Sequence, residues 1–175
     1  IKDLHGAGVI GELSDIGVIS LKIEGRMKRP EYSEAVSAYY RRIIDTGRPD
    51  PEQYKRLQLH FSRETTDGWL RGSIQSMINA DYPSHMGIPA GKVVNSTRTH
   101  AVIDAQEELF VHDGLLARID PLESTALPQW IPFSVTAISS REGSLITVPA
   151  PGNIPIGSEI RKISDHRLRR PELHS

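Results

Sequence analysis

The stretch Ile19-Ser20-Leu21-Lys22-Ile23-Glu24-Gly25-Arg26-Met27-Lys28-Arg29-Pro30-Glu31-Tyr32 changes its periodicity partway along. Ile19, Leu21 and Ile23 alternate with Ser20, Lys22 and Glu24, the period of two that a strand requires. Gly25 ends that pattern. From Pro30 the apolar positions recur as Tyr32, Val36, Tyr39 or Tyr40, and Ile43, the stripe of an amphipathic helix. Pro30 suits a first helical position, Glu31 and Glu34 favour the positive end of the helix dipole, and Gly47 fits just past the last turn. A strand followed at once by such a helix is a βα unit of a helix-covered parallel sheet. In a βα barrel, Ser20, Lys22 and Glu24 would face the interior, with Glu24 at the C-terminal strand end where such barrels place active sites. Lys22 and Glu24 are therefore candidate catalytic residues, a general acid–base or substrate-orienting pair. The alternative is a structural ion pair filling a packed lumen. Arg26 can grip a carboxylate or phosphate bidentately, or cap neighbouring carbonyls.

Upstream, Val9, Ile10, Leu13 and Ile16 predict a short helix over 7–16, stopped by Gly17. Downstream, Arg48-Pro49-Asp50-Pro51 reads as a turn, followed by a helix from Pro51 to about Phe61 with Tyr54, Leu57 and Phe61 on one side. Residues 62–72 read as a loop. From about Gly87 the pattern becomes short alternating runs: 92–95, 101–105, 115–119, 133–138, 145–148 and 159–163 are expected strands. His112-Asp113-Gly114, Arg141-Glu142-Gly143 and Pro155-Ile156-Gly157 separate them as turns. Short strands with frequent turns suggest a small antiparallel barrel. The expected organisation is α/β followed by all-β. Residues 1–84 form the last βα elements of a catalytic barrel with following helices, and residues 85–175 form a small β-barrel domain.

Composition narrows the function classes. The chain has no cysteine, so it offers no disulfide, thiolate nucleophile or cysteine-ligated metal, which is compatible with a cytoplasmic location. No apolar run reaches the length of a membrane span, so no membrane partner is expected. A net charge of −1 gives no global attraction to nucleic acid, and the local basic groups read first as solvated faces. Arg161, Lys162, Arg167, Arg169 and Arg170 leave open a second class of answer, a non-catalytic β module that contacts RNA phosphates or a partner. Asp81, Ser84 and His85 supply the residue types of a hydrolytic triad, but triads are recognised by geometry and not by adjacency. The histidines show no metal-ligand spacing.

The segment Ser20 to Lys28 with Pro30-Glu31-Tyr32 resembles the hallmark of the U-32 collagenase-like peptidase family, as does the lead-in Lys2-Asp3-Leu4. Phe61 to Leu70 partly matches a further element of that family. His85-Met86-Gly87-Ile88-Pro89-Ala90-Gly91-Lys92-Val93 is similar to the one that enters its C-terminal β domain. The resemblance implies a βα barrel followed by a small β domain, and a parent protein that acts as a peptidase or as an RNA-base hydroxylation enzyme. It makes Arg26, Lys28 and His85 candidate substrate-binding residues, with His85 alternatively stabilising a turn beside Gly87 and Pro89. Some relatives, acting on RNA bases or the ubiquinone ring, hold an iron–sulfur cluster on four cysteines. At the position of the last of these the chain has His5. Imidazole can ligate iron, so either the parent protein lacks the cluster or His5 replaces one of its ligands; no cofactor is expected in this chain itself. Ile1 opens the chain without an initiator methionine, so the chain reads as a piece of a longer one. It is expected to be inactive alone and to need the rest of the parent barrel or a partner subunit, with RNA or peptide as substrate.

Overall fold

The computed structural model describes residues 2–26, 28–72, 77–79, 82–121 and 126–168. Met27, Asp81, Arg169 and Arg170 lie outside that set. The chain divides into two compact units, Ile1–His85 and Met86–Ser175.

The first unit is helical around one short ladder. Strand β1 (Asp3–Leu4) precedes a 3₁₀ turn at Ala7–Val9 and helix α1 (Ile10–Asp15), after which Gly17 adopts a positive φ of 90°. Helix α2 (Pro30–Thr46) has Pro30 in its first turn and Gly47 in the left-handed region past its end. Helix α3 (Pro51–His60) is capped by Asp50, whose carboxylate accepts the Glu52 and Gln53 N–H groups at 2.9 and 3.2 Å. Val36, Tyr39 and Ile43 from α2, Leu57 from α3, and Ala7 and Ile10 close the core. Within residues 62–72, expected to be loop throughout, strand β2 (Thr65–Thr66) pairs parallel with β1, Asp3 opposite Thr65 and Leu4 opposite Thr66.

The expected strand before Gly25 does not form. Residues 17–25 carry no regular structure, and Val18, Ile19, Leu21 and Ile23 are exposed, Ile19 to 99%. Alternation alone cannot hold a strand, because unpaired backbone N–H and C=O groups need a neighbouring ladder, and none of the described residues supplies one here. The described residues do not show the expected last βα elements of a barrel. The parallel pairing that does occur is confined to β1 and β2.

The second unit is a seven-stranded antiparallel sheet: β3 (Ile88–Ser96), β4 (His100–Ala105), β5 (Gly114–Ile119), β6 (Gln129–Ser134), β7 (Ser140–Glu142), β8 (Leu145–Pro149) and β9 (Glu159–Ser164). Their spatial order is β6-β5-β9-β3-β4-β8-β7, and β6 and β7 do not pair, so the expected closed barrel is an open sheet. The strand expected at 133–138 lies earlier, at 129–134. Pro132 is tolerated inside it because β6 is an edge strand, where a missing N–H breaks no second ladder. Ala90, Val93, Ile103, Leu115, Ile146, Val148 and Ile160 fill the core.

Two glycines of the His85–Val93 element have a packing reason. A Cβ on Gly87 would lie 1.9 Å from the Lys162 carbonyl oxygen, and one on Gly91 would lie 2.2 Å from that of Asp104. Both therefore let β3 run against its neighbours β9 and β4, and both hold positive φ, 55° and 147°.

One buried ion network ties the end of β9 to the start of β5. Lys162 is 3% exposed, and its Nζ reaches Asp113 Oδ2 and Asp165 Oδ2 at 2.8 Å each and donates to the Glu108 carbonyl at 2.9 Å. Asp113, fully buried, also accepts the Phe110 and His166 N–H groups at 2.8 and 2.9 Å. Burial pushes the Asp165 carboxyl up, but hydrogen bonds from Arg167 and Lys162 outweigh it and hold the group well below the usual carboxylate range. Its stabilising contribution is complete above the unfolded-state value of about 3.9 and is lost as the pH falls through the lower folded value. Asp113, Asp165 and His166 lie close enough to share a cation, yet the Lys162 ammonium sits between the two carboxylates. Lys162→Met is expected to cost about 3–5 kcal/mol at pH 7, because it leaves Asp113 buried without its ammonium partner. The deficit should narrow towards about pH 3, where Asp165 loses the part of its stabilisation that the Lys162 hydrogen bond supplies. Urea unfolding at the two pH values measures this, and a neutral-pH loss under about 1 kcal/mol would contradict it.

Candidate functional site

The first unit brings several sequence-distant positions onto one ring, Phe61. The β1–β2 pairing sets Lys2-Asp3-Leu4 beside the segment that follows α3. There the Asp3 carboxylate receives three hydrogen bonds from Arg63: the backbone N–H at 3.0 Å, Nε at 3.0 Å and Nη2 at 2.6 Å. This bidentate clamp fixes Arg63, whose guanidinium carbon lies 5.4 Å from the Phe61 ring centroid. Lys28, just ahead of α2, places its Nζ 3.1 Å from the same centroid. The His85 ring stacks on Phe61 with centroids 5.6 Å apart and planes 18° apart, and Tyr32 meets it edge-on at 6.1 Å. His85 is held in turn by the Ser62 N–H, which donates to its Nδ1 at 2.9 Å.

Burial lowers the Lys28 pKa, the Arg63 charge lowers it further, and Asp3 works in the opposite direction. The ammonium thus sits where positive charge is in excess. Beside it a cleft of about 220 Å³ is lined by Lys28, Arg29, Tyr32, His60 and Phe61. A larger cleft of about 310 Å³, lined by Lys2, Leu4, Thr66, Gly68, Trp69, Leu70 and Met77, is apolar and holds no acid, base or nucleophile beyond Lys2.

Of the sequence-predicted residues, Lys28 and His85 meet through Phe61. Lys22 and Glu24 pair at 2.8 Å, but on the exposed stretch before Gly25, with side chains 84% and 62% exposed. An ion pair in that setting contributes little, and no described cleft adjoins it. Arg26 is exposed on the same stretch. His85 engages the Ser62 backbone, and Asp81 lies outside the described residues. Of the basic positions near the C-terminus, Arg161 pairs with Glu159 and caps the Met86 carbonyl, Lys162 is buried, and Arg167, which is exposed, pairs with Asp165, so each of these three already has a carboxylate partner.

His5 does not present itself to a cofactor. Its ring lies among Tyr39, Tyr40 and Tyr54, with centroids 5.7, 6.4 and 4.7 Å away, and its Nε2 is buried without a hydrogen bond. Burial lowers its pKa, as it pushes the Tyr39 hydroxyl up to about 12. The chain has no cysteine, and among the described residues no group of three or more His, Asp or Glu ligand atoms includes His5.

Sequence reasoning missed Asp3, Arg29, His60, Phe61 and Arg63 as site residues. Phe61 looked like the last core position of α3, and Asp3 was read only as part of a motif. The one available signal was the partial match of Phe61 to Leu70, whose Phe-Ser-Arg start supplies the ring and the guanidinium. If the Asp3 carboxylate offsets the charge on Lys28, Asp3→Asn should lower the Lys28 pKa further. Side-chain NMR titration of the Lys28 Cε or Nζ reads the shift, and an unchanged or raised midpoint would refute the arrangement.

Residues 1–78 match the profile of Peptidase family U32. The chain is 32% identical over 128 residues to the 23S rRNA 5-hydroxycytidine C2501 synthase of Escherichia coli (strain K12), which covers 66% of this chain and 20% of that protein. It is 43% identical over 79 residues to the tRNA hydroxylation protein P1 of Bacillus subtilis (strain 168), covering 41% of this chain and 19% of that protein. The chain thus spans about a fifth of the length of these relatives. No solved structure matches it.

Proposed function

We propose that this chain, whose residues 1–78 match the profile of peptidase family U32, is the RNA-handling part of a longer enzyme that hydroxylates an RNA base. The observation that carries this reading is the ring of Lys28, Arg63 and His85 around Phe61. Cations interleaved with aromatic rings suit a single-stranded nucleic acid, whose phosphates meet the charges and whose bases meet the π-faces. Relatives named for acting on rRNA and on tRNA support the same substrate class.

In this reading the oxidising chemistry belongs to the remainder of the longer protein. The exposed alternation from Val18 to Glu24 becomes a strand only when a neighbour in that protein pairs with it. Lys22 and Glu24 then face the site, and helices cover Ile19, Leu21 and Ile23.

Deleting the full-length gene should remove a hydroxylated nucleoside from rRNA or tRNA digests, read by mass spectrometry. Digests unchanged by the deletion would overturn the proposal. In the full-length protein, Glu24→Gln should lower turnover by about 10²-fold, the scale of a lost acid–base group, with little change in melting temperature. A variant that unfolds while its refolded fraction turns over normally would make the Lys22–Glu24 pair structural.

A further inference from the structure

The cleft beside Phe61 gathers three nitrogen donors from two elements: Lys28 and Arg29 ahead of α2, and His60 at the end of α3. Neither Lys28 nor Arg29 forms an ion pair among the described residues, and Arg29 is exposed. The His60 ring makes no hydrogen bond there. Arg63, close by, is different, since Asp3 already occupies its guanidinium. The cleft therefore offers donors whose partners are absent, beside a cation that is already satisfied.

Its size and wall fit a compact anion. About 220 Å³ is several times the roughly 30 Å³ that one water occupies in the liquid. Tyr32 and Phe61 limit access of bulk solvent from the side, which strengthens charge interactions within. The electrostatics point the same way. His60 titrates below its ordinary value through burial first, then through the Arg56 charge, against the raising influence of Glu31 and Glu34 and with a further lowering from His85. Lys28 is lowered as well, by burial and by Arg63. Burial is the larger cause at both groups, and the positive charges of Arg56 and Arg63 add to it.

We propose that this cleft is a phosphate subsite in which Lys28, Arg29 and His60 hold one phosphodiester of a bound RNA strand, with Tyr32 and Phe61 as its walls. This rests on the RNA reading above and adds Arg29 and His60 to the residues that serve it. Lys28, Arg29 and His60 line one cleft, and an anion with several oxygens around one centre can accept from more than one of them. A phosphate held so carries no sequence information; it sets the register of the strand, which makes these positioning residues.

The test uses the whole chain and His60 as its own reporter. The imidazole Cε1–H is followed by NMR across pH, alone, with octauridylate and with inorganic phosphate. A bound phosphodiester should raise the His60 midpoint, because it stabilises the imidazolium. Arg29→Gln, at an exposed position where folding is not at stake, and Lys28→Gln should each reduce the salt slope of octauridylate binding by about 0.7. If RNA binds while His60 stays unmoved and the slopes are unchanged, the subsite falls and the RNA reading stands. If inorganic phosphate moves His60 but octauridylate does not bind, the cleft takes free phosphate, and both the RNA strand in the proposal and the RNA reading fall. If neither ligand moves His60, the subsite is refuted outright.

Discussion

The need of every buried backbone N–H and C=O for a partner sorts this chain more than any side chain does. In the second unit, seven strands satisfy one another, and β9 comes back to lie between β5 and β3. Among the described residues of the first unit, only Asp3–Leu4 and Thr65–Thr66 find each other, and the result is a two-residue parallel ladder. That short ladder matters beyond its length, because it carries Asp3 to Arg63 and thereby builds the platform at Phe61. Where no partner exists, at Val18–Glu24, an ideal alternation of apolar and polar residues stays irregular.

Lysine is used in two opposite ways. Lys162 is buried between two carboxylates and a carbonyl, a position where charge is affordable only because every donor is matched. Lys28 is left over an aromatic face beside a second cation, with its charge uncompensated by an ion pair. The first arrangement consumes its electrostatics in holding β9 to β5. The second leaves an attraction directed outward, which is what a site for an anionic polymer requires. The same contrast explains why Arg161 and Arg167, although basic and near the C-terminus, offer little to a nucleic acid.

Much of the fold was legible. The bounds of α2, from Pro30 to Gly47, follow from a proline that fits the first turn and a glycine that can take a positive φ. The change from helical to alternating patterns near Gly87 marks the start of the sheet, and five of the six expected strands overlap their observed spans almost fully. The β6 register was misplaced because Pro132 argues against a strand unless the strand lies at an edge, and edge position is a property of the whole sheet. Of the candidate site, Lys28 and His85 were visible through their motifs. Phe61, the ring that joins them, was indistinguishable from a core residue at a helix end.

The sequence by itself determined what depends on neighbours along the chain: helix starts and stops, turn positions, the absence of cysteine chemistry, and the family profile that residues 1–78 match. Tertiary structure alone decided the strand order, the openness of the sheet, the burial of Lys162, and the meeting of Asp3, Lys28, Phe61, Arg63 and His85. The physical reason is range. Propensity, capping and periodicity act within a few residues, whereas a ladder, an ion pair or a stacked ring needs a partner whose place in sequence no local pattern encodes.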